Sequence, residues 1–301
     1  APDVPNDHFG NASHLNREIF LADGKNNEVS LSQDVNDKDE LLVQVNGVIL
    51  EKEGYSLDAL SNRKIIINST PAKGSEINIF YNNWLSEIIS TKKATREVNE
   101  PYHANNEGGA SVWWSFTAPF DGVLSVRTVN TKVDTILGLY QGSRVVNLAL
   151  IQSNDDDQLL KNLEGNPGLS RIDQALFKGT TVKIAVDGFG GLKGDVGISS
   201  VFTSQEVYSL LIEAGENGSL KEPKLPFKND NGNRFGLYAR DSVVEVIAEA
   251  DEGYEFSGWS GSISSLDNPI PLSILMTASS KFGLGFGHRK LNQLVENFPN
   301  I

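Results

Sequence analysis

The sequence predicts an all-β fold: a jelly-roll or β-sandwich that carries an inserted small β module and is followed by a second small β domain. Short apolar-rich runs recur along most of the 301 residues, and Gly, Asp and Asn separate them. Seven such runs follow one another at close spacing within residues 111–202. Many short strands with regular turn residues between them are typical of sandwiches and barrels. Helical spacing is rare, and its clearest instance is residues 288–298.

The composition excludes several classes of function. The chain has 26 Lys and Arg against 39 Asp and Glu, a net charge of -13, which argues against binding to a nucleic-acid backbone. It has no cysteine, so disulfides and cysteine chemistry are excluded. No apolar run approaches the roughly 18 residues of a membrane helix, so we expect no membrane span. The opening residues "APDVPNDHF" are what cleavage of a signal peptide after a small residue would leave. We therefore expect a secreted protein, with a trimmed chain as the alternative.

A series of blocks in a fixed order points to one family for the jelly-roll. The blocks are "NDHFGNASHL", "ATREVNEPYHANNEGGASVWWSFTAPFDGVLSVRT", "VDTILGLYQG", "QSNDDD" and "GTTVKIAVDGFGG". Together they resemble the bacterial pre-peptidase C-terminal-like domain, a secreted jelly-roll module. The resemblance implies one domain built from residues 1–16 and 90–205.

The stretch that interrupts those blocks has its own strand pattern. It contains "FLADGKNNEVSL", then "LLVQVNGVILEKEGYSL", then "KIIINSTPAKGSEINIFY". An Asn-Gly pair between apolar runs, here Asn46-Gly47, is the strongest short hairpin signal because a type I′ turn needs positive φ at both central residues. The order of elements is similar to a small β module of phage tail fibres. The resemblance implies an insert over residues 17–89, which a surface loop tolerates where the two ends of the insert lie close together.

A third pattern follows from residue 206. The stretch from "YSLLIEAGENGSLKEP" to "LMTASSKF", with "GYEFSGWSG" at its centre, resembles the divergent B-repeat of internalin-type bacterial surface proteins. The resemblance implies a small β domain over residues 206–282 and leaves residues 283–301 as a C-terminal tail. All three families are extracellular and mostly non-catalytic, so the resemblances imply binding, spacing or assembly, and we expect no enzyme.

An acidic loop is the candidate metal site. "QSNDDDQ" places Asn154, Asp155 and Asp157 in one loop, where a Ca²⁺ ion would relieve the repulsion between carboxylates. A plain solvated turn is the alternative, because carboxylates also bond nearby backbone N–H groups in turns. Asp134 and Asp187 stand at the ends of predicted strands and add ligands only if the fold brings them near.

The adjacent pair Trp113-Trp114 raises the question of what each ring contacts. Neighbouring side chains of a strand point to opposite faces, so we assign Val112, Trp114 and Phe116 to the sandwich core and Trp113 to the other face. Since Trp113 is the one large apolar residue on that face, we expect a loop of the same domain or the inserted module to cover it. A neighbouring subunit is the next alternative, and an exposed ring would favour a cell-surface glycan as ligand.

The chain termini and the histidines complete the candidate residues. Strand addition between subunits is a common mode of self-association, and we expect contacts from the terminal segments. The candidate contact residues are Ala1, Pro2, Asp3, Val4, Pro5, Phe286, Leu291, Leu294 and Phe298. None of the four histidines has the spacing of a metal site, so we interpret His103 as a hydrogen-bonded loop residue.

These observations favour a non-catalytic extracellular structural or adhesive protein that assembles into a bacterial surface fibre or filament. The first alternative is a phage virion component, a tail fibre or decoration protein, because of the tail-fibre-like module. The second is a carbohydrate-binding module, because exposed tryptophans stack on sugar rings. No cofactor other than Ca²⁺ is implied.

Overall fold

The computed structural model describes residues 13–14, 16–81, 83–85, 88–157, 168–229, 231–261, 264–271 and 294–297. Strands dominate these residues, and their helical elements are 3₁₀ turns of three residues, such as Val145–Asn147 and Phe189–Gly191. The predicted all-β class is confirmed. The described residues divide into two compact units. The first contains most residues up to Thr203, and the second contains those from Ser204 onward together with Asp121–Val123 and Gln174–Leu176.

The strands, in chain order, are β1 (Ser13–His14), β2 (Arg17–Leu21), β3 (Glu28–Ser30), β4 (Leu41–Val45), β5 (Val48–Ile49), β6 (Tyr55–Asp58), β7 (Ser61–Ile67), β8 (Glu76–Tyr81), β9 (Asn83–Leu85), β10 (Ile89–Ser90), β11 (Val112–Thr117), β12 (Gly122–Val129), β13 (Thr135–Gln141), β14 (Ala149–Asn154), β15 (Arg171–Leu176), β16 (Thr181–Gly188), β17 (Asp195–Ser204), β18 (Val207–Glu213), β19 (Gly218–Glu222), β20 (Phe227–Lys228), β21 (Arg234–Ala239), β22 (Glu245–Ala250), β23 (Gly258–Gly261), β24 (Ile270–Pro271) and β25 (Leu294–Asn297).

Two sheets form the predicted sandwich. The first has the order β1-β11-β16-β13-β14, and the second has the order β10-β17-β12-β15 with β9 also paired to β17. Phe116 on β11 contacts Phe202 on β17, with ring centroids 5.4 Å apart. Val112 and Phe116 are fully buried and Trp114 nearly so, as their assignment to a core predicts. Strand alternation places these three side chains on one face of β11.

Residues 17–81 form two smaller sheets, β2-β8-β4-β5 and β3-β7-β6. The predicted hairpin is confirmed, because Val45 pairs with Val48 across Asn46 and Gly47, whose φ angles are 51° and 79°. Tyr55 and Ile65 belong to the apolar core that these two sheets share. This core is distinct from the one that contains Phe116.

One buried side chain joins the two points where the chain enters and leaves these smaller sheets. The Asn16 amide donates hydrogen bonds to the carbonyl oxygens of Tyr81, 2.8 Å away, and Thr117, 2.9 Å away. Its Oδ1 accepts a hydrogen bond from the Thr117 N–H. The ends of the stretch therefore lie close together, which is the geometry that an insertion requires. The domain boundaries themselves stay a prediction.

The second unit contains two further sheets, β20-β21-β18-β25-β23 and β19-β22-β24. Leu210, Val246 and Trp259 are buried in its core, and Tyr254 and Phe256 pack against it. The Trp259 indole donates a hydrogen bond to the Asp267 carbonyl, so the ring is fixed at its polar end. Residues 288–298 have helical spacing, but Leu294–Asn297 within them forms the strand β25, so the helix interpretation is wrong for these four residues.

Candidate functional site

Both faces of β11 are buried. All six residues from Val112 to Thr117 are shielded from solvent, and Trp113 is 0 % exposed. The face that carries Trp113 is therefore covered, as its isolated large side chain predicts. The residues that cover it decide whether the Trp113 ring contacts a loop of its own domain, the inserted module, a neighbouring subunit or a sugar.

The cover over Trp113 is built from the loop that precedes β11. His103, from this loop, packs edge-on against the indole with ring centroids 5.5 Å apart. Tyr140, from β13, lies 5.8 Å from the indole and 5.6 Å from the imidazole. Ala185 belongs to the same buried cluster. A loop of the same domain thus covers Trp113, and the indole has no free face on which a sugar could stack in this structure.

A polar chain through His103 fixes the loop on the sheet. The Nε2 of His103 lies 2.9 Å from a Glu100 carboxylate oxygen, and Nδ1 lies 2.6 Å from the Tyr140 hydroxyl. A neutral imidazole satisfies both contacts, with Nε2–H donating to Glu100 and Nδ1 accepting from the hydroxyl. His103 is therefore a hydrogen-bonded loop residue, as predicted.

The electrostatics of this chain favour a structural role over a reactive one. Burial, together with the nearby Glu100 carboxylate, raises the pKa of Tyr140, so the hydroxyl is held neutral. Burial is the largest influence and would raise the pKa of Glu100, but the hydrogen bonds that the carboxylate accepts, from His103 and the Glu97 N–H among others, together outweigh burial and lower that pKa below its ordinary value. A nucleophile needs a lowered pKa and access to substrate. Tyr140 has the opposite shift and is 1 % exposed.

A second buried acid anchors the other end of the loop. The Asp187 carboxylate accepts hydrogen bonds from the N–H groups of Gly109 at 2.8 Å and Ala110 at 3.0 Å. A Cβ on Gly108 would lie 1.9 Å from Asp187 Oδ2, so glycine is required there. Burial nevertheless raises the pKa of Asp187. The Asp187 side chain, at the end of β16, thus holds the loop in place by binding the backbone N–H groups of the loop.

The predicted metal ligands lie in a loop with extensive hydrogen bonds. The Asn154 side chain accepts from the Arg171 N–H at 2.9 Å, and the Asp155 carbonyl accepts from the Ser170 hydroxyl at 2.7 Å. Asp157 is buried. Within the described ranges, no group of three or more acidic or histidine side chains is arranged to hold a metal ion. Residues 158–167 lie outside the description, and Ca²⁺ binding stays a prediction.

The fold does bring Asp134 to this acidic loop. Burial raises the pKa of Asp134, and the nearby carboxylates of Asp155 and Asp156 raise it further. Gly168 packs so tightly on it that an added Cβ would lie 2.1 Å from Asp134 Oδ1. Asp134 therefore lies near Asp155 and Asp156, whereas Asp187 binds the loop that precedes β11.

The predicted subunit contacts fall mostly outside the described residues. This holds for Ala1, Pro2, Asp3, Val4, Pro5, Phe286, Leu291 and Phe298. Leu294 is described: it starts β25, which lies between β18 and β23.

The glycine-punctuated aromatic cluster of the second unit supports a comparison with known families. Residues 208–281 match the divergent InlB B-repeat domain. The resemblance drawn from "GYEFSGWSG" is confirmed, whereas those to the pre-peptidase C-terminal-like domain and the tail-fibre module stay predictions. A search of curated proteins found no match. The B-repeat domain is typically surface-associated, and with the all-β structure it points to a non-enzymatic surface domain.

In the part of the chain that the structure describes, no helix is both long and apolar enough to cross a membrane.

Sequence reasoning missed the Glu100–His103–Tyr140 chain. The three-residue spacing of Glu100 and His103 is visible in "EPYH", but a loop can place such a pair in many ways. Tyr140 lies 37 positions further along, and only the pairing of β11, β16 and β13 brings it opposite the loop. The bulky, otherwise isolated Trp113 was the one signal that something had to pack there.

Proposed function

We propose that the protein is a non-catalytic extracellular structural or adhesive protein, and that it is a self-assembling subunit of a bacterial surface fibre or filament. The observation that carries this proposal is the B-repeat match over residues 208–281, within an all-β chain. That match is compatible with a surface-associated protein. The finer statement, assembly into a fibre, rests on the features described next.

The use of the buried ionisable groups supports a structural role. Glu100 and Asp187 accept hydrogen bonds from loop groups, and His103 joins the loop to β13. Each group is buried, so this part of the molecule offers rigidity to a partner and no reactive side chain to a substrate.

Exposed apolar side chains on an edge strand support assembly. β2 is an edge of the sheet β2-β8-β4-β5, and on it Ile19 is 50 % and Leu21 75 % exposed. An edge strand presents unpaired N–H and C=O groups, and apolar side chains along it favour pairing with another chain. Contact with a second copy would cover both features.

The proposal is tested by electron microscopy of the purified protein, with a matched pair of variants. We expect filaments from the native chain, fewer or shorter filaments from Leu21→Lys, and unchanged filaments from Leu60→Lys. Leu60 is the control because it is 97 % exposed at the turn between β6 and β7, away from the edge. A native protein that stays monomeric at every concentration would overturn the assembly proposal.

Location and ligand are tested separately. Antibody labelling of the producing cells should decorate the cell surface. Labelling confined to phage particles would overturn the bacterial proposal in favour of a virion component. Specific binding on a glycan array that is unchanged in the purified Trp113→Phe variant would favour a carbohydrate-binding module that does not use this tryptophan.

A further inference from the structure

Five cations lie close together at one end of the sandwich. They occur in three segments, 91–96, 130–133 and 189–194, and none of these segments contains an acidic residue. The cations are Lys92, Lys93, Arg96, Lys132 and Lys193, and all four lysines are exposed. In a chain with 39 acidic and 26 basic residues, such an excess of positive charge is local and needs an explanation.

Hydrogen bonds hold two of the segments together. The Thr91 N–H donates to the Gly194 carbonyl at 2.7 Å, and the Gly194 N–H donates to the Thr91 hydroxyl at 3.0 Å. Lys193 donates from its ammonium group to the Ala94 carbonyl at 2.9 Å. Since consecutive Cα atoms are about 3.8 Å apart, Lys92 and Lys193 are direct neighbours of this contact.

The third segment packs on the same glycine. Val133 lies so near Gly194 that its Cγ1 would be 2.6 Å from an added Cβ. Lys132 precedes Val133 in the chain and therefore lies near the other lysines. Among the residues that the structure describes, none of the four lysines forms an ion pair with a carboxylate. Their positive charges are thus available to a partner.

Apolar side chains are exposed beside these cations. They are Val98 at 83 %, Tyr102 at 54 %, Phe189 at 42 % and Leu192 at 49 % exposure. The two loops that carry them contact each other, because the Gly190 N–H donates to the Asn106 side chain at 3.1 Å. Arg96 covers the Tyr102 ring at 4.5 Å. We call the four lysines together with Val98, Phe189 and Leu192 the cationic end.

The acidic loop lies on the other side of this end of the sandwich. Asp155 and Asp156 follow β14, and Asn154 at the end of β14 binds the Arg171 N–H at the start of β15. β15 and β10 are the two outer strands of the second sheet, and the cationic end adjoins β10 and β17. Salt screens the interactions of exposed charges beyond about 8 Å. The excess of acids elsewhere therefore does not cancel the local positive charge.

Positive charge and apolar groups on one surface fit an anionic lipid surface. Lysines are attracted to the headgroups of such a surface, and apolar side chains that reach the boundary between headgroups and acyl chains leave water. A water-soluble polyanion would contact the lysines alone and would leave Val98 and Leu192 in water, since neither has a ring on which a sugar could stack. The two chemistries together therefore favour lipid.

We infer that the cationic end docks the protein on a membrane that contains anionic lipid. The lysines contact the headgroup phosphates, and Val98, Phe189 and Leu192 enter the boundary between headgroups and acyl chains. Docking of this kind needs no membrane-spanning segment. The inference goes beyond the proposed assembly, because it concerns the end of the sandwich and not the edge strand β2, and it gives the adhesive role a partner of defined chemistry.

Sedimentation of the full-length protein with lipid vesicles tests the inference. We expect binding to vesicles of phosphatidylcholine and phosphatidylglycerol in equal amounts, much weaker binding to phosphatidylcholine alone, and a decrease in binding as salt is added. Equal binding to both kinds of vesicle, or binding to neither, would overturn the inference.

A matched pair of double variants tests the lysines. Lys92→Gln/Lys93→Gln should weaken binding to the anionic vesicles about 25-fold, since each basic residue near such a surface contributes about fivefold. The control, Lys25→Gln/Lys73→Gln, removes the same charge from two exposed lysines that lie next to Gly24, and it should leave binding unchanged. Equal losses in the two double variants would show an effect of net charge alone and would contradict a defined docking surface.

A second pair of variants tests the apolar contribution. Leu192→Ser should weaken binding about fivefold, because a half-exposed leucine has part of its apolar surface left to bury. Leu60→Ser, at a position that is 97 % exposed, should bind as the native protein does. Circular dichroism checks that each variant is folded. Full vesicle binding by Leu192→Ser, together with competition by soluble polyphosphate, would identify a soluble polyanion as the partner and overturn the inference.

The outcome is separable from that of the proposed function. Filaments from a protein that binds no vesicles would keep the assembly proposal and overturn membrane docking. Binding to anionic vesicles by a protein that forms no filaments would support membrane docking and count against a fibre.

Discussion

Removing the Tyr140 hydroxyl should destabilise the fold more than its size suggests. The change Tyr140→Phe keeps the ring against Trp113 but deletes the hydrogen bond to His103 Nδ1, which is 2.6 Å long. His103 is 2 % exposed, so water cannot replace the lost partner. Leaving a buried polar group unsatisfied costs about 1–3 kcal/mol. We expect the free energy of unfolding to fall by that amount.

The measurement is urea unfolding followed by tryptophan fluorescence and circular dichroism. With a denaturant dependence of about 2 kcal/mol per molar urea, the midpoint of the transition should fall by about 0.5–1.5 M. Because the chain has two packing units, the transition that includes Trp113 must be fitted by itself. Hydrogen exchange of the backbone at residues 100–110 should show the same loss locally.

The control is Tyr102→Phe, the same substitution at the residue that precedes His103 in the loop. Tyr102 is 54 % exposed and its ring lies over Arg96, a contact that phenylalanine retains. We expect a change within about 0.5 kcal/mol, as for most surface substitutions. If Tyr140→Phe were as neutral as Tyr102→Phe, the reasoning that the polar chain fixes the loop would be wrong.

Three further predictions concern the acids and the glycine that position these loops. Gly108→Ala should lower the thermal midpoint more than Gly74→Ala, because both have positive φ but only the first Cβ meets a carboxylate, that of Asp187; equal losses would contradict this. Glu100→Gln should make the free energy of unfolding less dependent on pH in the acid range. Its folded pKa lies below the ordinary 4.5, so its stabilisation is present above pH 4.5 and lost as the pH falls through the folded value; an unchanged acid limb in urea midpoints across pH would refute this. Asp134→Asn should raise the midpoint slightly at neutral pH, because the raised pKa of Asp134 reflects burial and repulsion that the charged form suffers. If the acidic loop binds Ca²⁺, added Ca²⁺ should stabilise the native chain more than this variant in calorimetry.

Local sequence patterns predicted the structure correctly where it depends on residues that are close together in the chain. Asn46-Gly47 predicts its hairpin because only residues that tolerate positive φ fit a type I′ turn. The alternation of "VWWSF" separates Trp113 from Trp114 because the side-chain period of a strand is two. The spacing of Gly and aromatic residues around Trp259 was specific enough to indicate the B-repeat domain.

The rest depends on contacts that no local pattern encodes. Tyr140 meets His103 only because β13 and β16 pair in one register, and a shift by one residue would turn Tyr140 to the opposite face. The acidic loop meets Asp134 for a similar reason: β13 and β14 are neighbours, and Leu137 lies opposite Asn154. Sequence reasoning named these acids but could not place them together.

The C-terminal strand shows the limit of periodicity most clearly. The spacing of apolar residues in 288–298 fits a helix, yet Leu294–Asn297 is a strand held by ladders on both sides. A helix satisfies its own backbone hydrogen bonds, whereas a strand needs partners on both sides. A short segment next to two unpaired edges therefore gains more backbone pairing as a strand than its own spacing indicates.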